Sequence, residues 1–365
     1  VKRSGCAALG CSGLLVLLLA VAAGLAFRFG AIAPGPNSVP GVREPPPEPE
    51  PVPEADAYLP AVGSLHQFHR EEDGDRLRLT YGFIDYRGQA RHVACEVSKQ
   101  AYQQDVTSFG YFVDEMDHAV SRSLRDLFLR EAARRGVSAY VHFESLNGTG
   151  YRWRWRIPGG LGAEETTRLE DELRDFDRWL DNDLSKQKEE LVASYLQARG
   201  LRLKGDEIAI DYEEEVARDT APLADCFDAL RRVGRRAGDR ALLGLFLAFI
   251  QELPYEVPPQ VELGRHILGF WAPAAVLVRG AGDCDSKSAA FCALWRHLPR
   301  RAMLVLVPGH ALVGVEGKPR ADEAYVRLGN RYFVLCEVAG PGKIPPGAHP
   351  LSGSFEYVMI EPAGG

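Results

Sequence analysis

From Ser4 to Phe27 the chain carries no charged residue, and the centre of that run reads Leu14, Leu15, Val16, Leu17, Leu18, Leu19. These 24 residues are enough to cross a bilayer core of about 30 Å as a helix. Lys2 and Arg3 precede the run, and positive charge on the short leading side predicts that the amino end stays in the cytoplasm. The expectation is a single-pass membrane anchor over 1–28, with everything after it extracytoplasmic (periplasmic). Ala20-Val21-Ala22 also resembles a signal-peptidase site, which leaves a cleaved leader as the second reading. Residues 34–53 then hold nine of the chain's 24 prolines. Such a segment supports neither a helix nor a sheet ladder and favours extended polyproline II, so 29–57 reads as a stiff linker.

Roughly 310 residues remain to fold, enough for a sizeable core and two domains. A hydrophobic content of 46% and a charged content of 25% exclude a disordered chain and a multi-span membrane protein. The net charge of −7 argues against a nucleic-acid partner, which calls for positive charge to displace counterions from phosphates. Seven cysteines with no Cys-x-x-Cys pair make neither a disulfide scaffold nor a zinc finger. Export would permit a disulfide among Cys95, Cys226, Cys292 and Cys336, but spacing alone does not assign the pairing.

Apolar and polar residues alternate from Arg76 to Ile84, and again through Val93, Cys95 and Val97, with a turn at 85–88, which predicts a β-hairpin. Phe112 to Arg135 reads as an amphipathic helix stopped by Gly136. A second hairpin is expected over 139–157, where Arg152, Arg154 and Arg156 interleave with Tyr151, Trp153 and Trp155. Period-two alternation makes this one buried and one solvated face rather than a base-stacking surface. Ala163 to Arg199 is a long helical stretch with its stripe at Leu169, Leu173, Phe176, Leu180 and Leu184, continuing to Leu191 and Tyr195. It is expected to pack within the chain rather than form a coiled-coil dimer. A short strand at Ile208, Ile210 and Tyr212 and helices over 221–236 and 239–253 follow. The expected divisions are an N-terminal module over 58–205 and a C-terminal domain over 206–365.

The C-terminal part concentrates the chemistry. Arg279-Gly280-Ala281-Gly282-Asp283-Cys284-Asp285 leads into a helix rich in Ala and Ser. A glycine-rich turn exposes the sulfur of a cysteine that opens a helix, and the unsatisfied N–H groups there favour a thiolate. Pro308-Gly309-His310 then places a histidine at the start of an apolar strand, and the strand Tyr332–Cys336 delivers Glu337. Cysteine, histidine and carboxylate in this arrangement can serve as nucleophile, base and orienting acid. His297, late on the cysteine helix, and His349, in a proline-rich loop, are weaker candidates for the base, and His66 and His69 read as surface. Asp283 and Asp285 could attract calcium, although helix capping by one of them is the simpler role.

The order Gly282-Asp283-Cys284-Asp285, then Gly309-His310-Ala311, then a strand ending in an acid, resembles the transglutaminase-like superfamily. The approach Gln251-x-x-x-Tyr255 matches its usual lead-in, and the resemblance covers about residues 239–345. It implies a papain-like α+β fold, with the cysteine helix packed on an antiparallel sheet. Cys284 would be the nucleophile, His310 the base, Glu337 the third member and Gln251 an oxyanion donor. The family's usual third residue is aspartate. Glutamate is one methylene longer, so its strand must sit farther from His310 or shift in register.

The fold class expected is therefore α+β, a papain-like, transglutaminase-like C-terminal domain preceded by an α/β N-terminal module and an N-terminal transmembrane helix. The expected function is a membrane-anchored thiol acyl-hydrolase or acyl-transferase acting on amide or peptide bonds of a protein or peptide substrate, with no cofactor and no metal. The rival class is a non-catalytic binding or scaffolding protein of the cell envelope that keeps the same shape.

Overall fold

A computed structural model describes residues 67–364 apart from Asn147, Arg236, Pro341 and Ser352. The expected anchor and proline-rich linker lie outside the described residues. Among the described residues no helix is long and apolar enough to cross a membrane. The described chain is mixed α+β. It divides into two units, one of Gly110–Ile210 with Val261–His266, the other of 67–109, Asp211–Gln260 and 267–364. Residues 67–109 thus group with the C-terminal residues.

The reason lies in what covers the first hairpin. Strands β1 (Gln67–Asp73), β2 (Arg76–Ile84) and β3 (Ala90–Ser98) form an antiparallel sheet in that order, with Ile84 opposite Ala90. Alternation sends Leu77, Leu79, Tyr81 and Phe83 to one buried face together with Val93, Cys95 and Val97. Phe249, more than 160 residues later, packs edge-on against Tyr81 and Phe83, and the Tyr81 hydroxyl donates to Leu277 O at 2.6 Å. Such long-range partners leave no local signature. Strand β1 was not legible either, since Gln67–Asp73 is almost wholly exposed and has no apolar alternation. Helix α1 (Lys99–Ser108) comes next, capped by the Ser98 side chain.

In the other unit, α2 (Val113–Arg134) buries Met116, Val120, Leu124, Phe128 and Ala132 on one face. Strands β4 (Val141–Ser145) and β5 (Tyr151–Trp155) make the second hairpin, with Trp153 buried and Arg152 and Arg154 exposed, as alternation demands. The long stretch is α3 (Ala163–Trp179), a π-helical turn (Leu180–Leu184) and α4 (Ser185–Gln197). The π turn accommodates one extra residue and rotates α4 about the helix axis. The residues buried beyond it are accordingly Val192 and Leu196, one position later than the expected Leu191 and Tyr195. Hairpins β6 (Leu201–Lys204) with β7 (Glu207–Ile210), and β8 (Val261–Glu262) with β9 (Arg265–His266), complete this unit.

The unit that carries β1–β3 resumes with α5 (Tyr212–Thr220), so Tyr212 starts a helix rather than continuing a strand. Then come α6 (Ala224–Val233), α7 (Asp239–Glu252), α8 (Pro273–Arg279) and α9 (Cys284–Trp295). A disulfide joins Cys95 of β3 to Cys226 of α6. Helix α8 begins with Pro273 in its first turn, where the missing N–H costs nothing, and Gly280 ends it at φ 70°. A Cβ on Gly280 would also lie 2.6 Å from the Phe68 ring, so no other residue fits this turn without strain. Strands β10 (Ala302–Val307), β11 (His310–Glu316), β12 (Tyr325–Leu328), β13 (Arg331–Cys336) and β14 (Glu356–Ile360) form an antiparallel sheet ordered β12-β13-β11-β10-β14. One face closes over Met303, Val305, Leu312, Val326, Phe333 and Leu335. Helix α9 lies against β10 and β11. Its residues from Ser286 to Trp295 are buried all round, which explains the Ala- and Ser-rich sequence and the absence of an amphipathic stripe.

Candidate active site

Cys284 is the first residue of α9, half-buried at the helix start. Asp283 caps the helix, its carboxylate accepting the Ser286 N–H at 3.3 Å. The loop before it is held by its neighbour in space. Gly282 N donates to Pro254 O at 3.1 Å and Glu256 N donates to Gly282 O at 3.2 Å, a parallel bridge that brackets Tyr255. Tyr255 is thereby placed beside Cys284, with which its hydroxyl interacts.

His310 opens β11 directly after the Pro308-Gly309 turn, with Gly309 at φ 75°. Its Nε2 lies 2.6 Å from Glu337 Oε2, and the Cys284 thiol is its other hydrogen-bond partner. Since Nε2 is engaged by the carboxylate, Nδ1 is the nitrogen that serves the sulfur. The Cys284 and Glu337 hydrogen bonds raise the His310 pKa to about 10, outweighing the effect of burial. Glu337 is only 4% exposed. Burial pushes its carboxyl pKa upward, but the His310 hydrogen bond and the Ala339 N–H, which donates to Oε1 at 2.7 Å, hold it below the ordinary value. The extra methylene of glutamate is thus accommodated, and the structure brings Cys284, His310 and Glu337 together.

Gln251 occupies another place than expected. Its Nε2 donates to Glu337 O at 2.5 Å and Ile344 O at 2.9 Å, and its Oε1 accepts the Tyr86 hydroxyl at 2.7 Å. Both N–H groups are thereby engaged, and neither is left for an oxyanion. Gln251 instead fixes the backbone that delivers Glu337.

The remaining candidates separate in the same way. His297 Nε2 donates to Thr220 O at 2.8 Å and its ring stacks on Phe227, a structural setting. His349 is nearer than its sequence suggested, with its ring centroid 6.2 Å from that of His310. His69 pairs with Glu71 at the surface, and His66 lies outside the described residues. Asp285 accepts the Tyr212 hydroxyl at 2.7 Å, and burial with the adjacent Asp283 raises its pKa to about 7. Among the described residues no group of three or more His, Cys, Asp or Glu is arranged to hold a metal ion. Cys292 and Cys336 are buried, and burial raises both thiol pKa values.

Two site residues escaped sequence reasoning. Tyr255 was visible only as part of a lead-in motif. Lys287 was signalled by a lone cation inside an otherwise uncharged helix interior, three residues after the cysteine. No family model, no curated protein and no solved structure matches the chain.

Proposed function

We propose that the protein is a thiol acyl-transfer enzyme of papain-like, transglutaminase-like type, acting on amide or peptide bonds. The observation that carries this reading is the single imidazole that interacts with both Glu337, at 2.6 Å on Nε2, and Cys284. The nucleophile helix on an antiparallel sheet that bears His310 and, one residue past the end of β13, leads to Glu337 supports the papain-like comparison.

The chemistry rests on the hydrogen bonds. His310 Nδ1 takes the thiol proton, and Cys284 Sγ attacks the substrate carbonyl carbon. The resulting oxyanion lies near the orphan N–H groups that open α9 and the Tyr255 hydroxyl. Imidazolium Nδ1–H then protonates the leaving amine as the C–N bond breaks, which yields a thioester on Cys284. Water deprotonated by the same imidazole attacks the thioester, releasing an acid and restoring the thiol. An amine in place of water gives a new amide. Hydrolysis, and hence a peptidase or amidase, is the favoured outcome in a chain read as facing an aqueous envelope. The Cys95–Cys226 disulfide supports an oxidising compartment, in keeping with the proposed export on a single N-terminal span.

An activity-based thiol probe tests this reading. Stoichiometric labelling of the folded, reduced protein, abolished in Cys284→Ser and His310→Ala, is expected. No labelling of the folded wild type would point to the non-catalytic class.

A further inference from the structure

Lys287 is fully buried, 0% exposed, on the turn of α9 directly inside Cys284. Its stem passes under the nucleophile turn, where a Cβ on Gly282 would lie 3.3 Å from Lys287 Cγ. Its Nζ donates to Leu253 O and to Ala339 O, both at 2.7 Å. Leu253 ends α7 and starts the segment that presents Tyr255, while Ala339 lies two residues beyond Glu337. One ammonium therefore ties both flanks of the site to the helix of the nucleophile. The charged and titratable groups that act on it are Glu337, Asp283, Cys284 and Glu252. Burial lowers the Lys287 pKa to about 8, with those four groups opposing the fall, so the ammonium form persists at neutral pH. Enclosing an ammonium is unfavourable until its partners compensate, and an apolar side chain of equal length would fill the space without that penalty.

We infer that Lys287 is a positioning residue, an internal ammonium that splints the Tyr255 and Glu337 segments and places a positive charge beside the nucleophile turn. The inference rests on the Cys284–His310–Glu337 reading. It differs from a purely structural role by being electrostatic. A mere splint would alter melting without altering the pH dependence of Cys284 alkylation.

The test is alkylation of Cys284 by iodoacetamide in the full chain across pH, where an S–C bond forms, iodide leaves and His310 receives the thiol proton. In Lys287→Met and in Lys287→Gln, which keeps a donor for one carbonyl, the acid limb should move up by about one pH unit, with about tenfold slower alkylation at pH 7. Lys287→Arg should keep the limb near its original place. Linkage is reciprocal, so the unmutated chain reports the same coupling. Carbamidomethylated Cys284 can carry no negative charge, and Lys287, followed by its 13Cε resonance, should then titrate at lower pH. An unshifted alkylation profile in the folded neutral variants overturns the inference. If those variants do not fold, a Lys287 titration indifferent to Cys284 modification overturns it. Alkylation in His310→Ala as fast as in wild type would instead sink the catalytic reading, an outcome the lysine titration keeps separate.

Discussion

Replacing Glu337 with Gln changes one atom type, and the hydrogen bonds around it dictate the consequence. Oε1 accepts the Ala339 N–H and Oε2 faces His310 Nε2. The Ala339 N–H can only donate, so it selects the amide oxygen of the new side chain and turns the NH2 group toward His310. Nε2 must then become an acceptor, which moves the imidazole proton to Nδ1, the nitrogen facing Cys284. That tautomer cannot take the thiol proton. The change also removes the second-largest cause of the raised His310 pKa, so this pKa falls from about 10 toward 6.5.

The substitution has two observables. Acylation of Cys284 should slow by at least about tenfold and more reasonably about a hundredfold, corresponding to about 2.7 kcal/mol of transition-state stabilisation. The alkaline limb of its pH profile, set by loss of the imidazolium, should move down. The folding linkage has the same sign. A raised imidazole pKa contributes stability that is fully present below about 6.5 and is lost as pH rises through about 10, and Glu337→Gln removes part of it. Single-turnover acylation with an activated ester, followed across pH, measures the kinetic pair, and urea unfolding at two pH values measures the linkage. A Glu337→Gln protein with the wild-type rate and alkaline limb would refute the tautomer reasoning and leave a Cys284–His310 dyad. Glu337→Asp should retain partial activity, since it keeps the charge but shortens the reach.

Tyr255→Phe removes a hydroxyl placed beside Cys284, so acylation should slow about tenfold to a hundredfold. Alkylation by iodoacetamide, which develops no oxyanion, should change little, and equal losses in both reactions would reject an oxyanion role. Glu215, fully buried with Arg218 at 2.8 Å and Asp219 nearby, has its pKa raised by burial to about 8. Between about 4.5 and 8 the folded state holds more protons than the unfolded one, so stability should fall with rising pH by up to about 1.4 kcal/mol per unit. Glu215→Gln should flatten that slope in urea titrations, and an unchanged slope would place the carboxylate's burden elsewhere.

What was legible in the sequence was local. The alternation of Leu77, Leu79, Tyr81 and Phe83, the stop at Gly136 and the Pro308-Gly309 turn each act within a few residues, and each element formed close to its expected bounds. The nucleophile, base and acid were legible because each sits at the start or end of an element, where a glycine-rich turn or a change of period marks the position. The exposed strand β1 had no apolar pattern to read, and the π turn at Leu180–Leu184 shifted a stripe that a regular helix would have continued. The grouping of 67–109 with the C-terminal residues was hidden for the same reason, since partners of β2 and β3 lie on α6, α7 and α8, all more than 120 residues away.

Gln251 shows why a motif can be read correctly and its role misjudged. A glutamine ahead of a catalytic cysteine has two N–H donors, and sequence says nothing about which acceptors reach them first. Here the chain that returns after Glu337 offers two carbonyls, Glu337 O and Ile344 O, and the Tyr86 hydroxyl fixes the amide's orientation by donating to its oxygen. Lys287 does the same for Leu253 O and Ala339 O from the other side. Between them, two buried side chains satisfy the carbonyls of residues 253, 337, 339 and 344, in a region where Glu337 and Ala339 make no strand ladder of their own. An unpaired buried carbonyl costs about 1–3 kcal/mol, so these contacts decide where the Glu337 backbone stops and how far its side chain must reach. The longer acid therefore fits because Gln251 and Lys287 set the position of its backbone, and the geometry at His310 depends on those two side chains as much as on the glutamate itself.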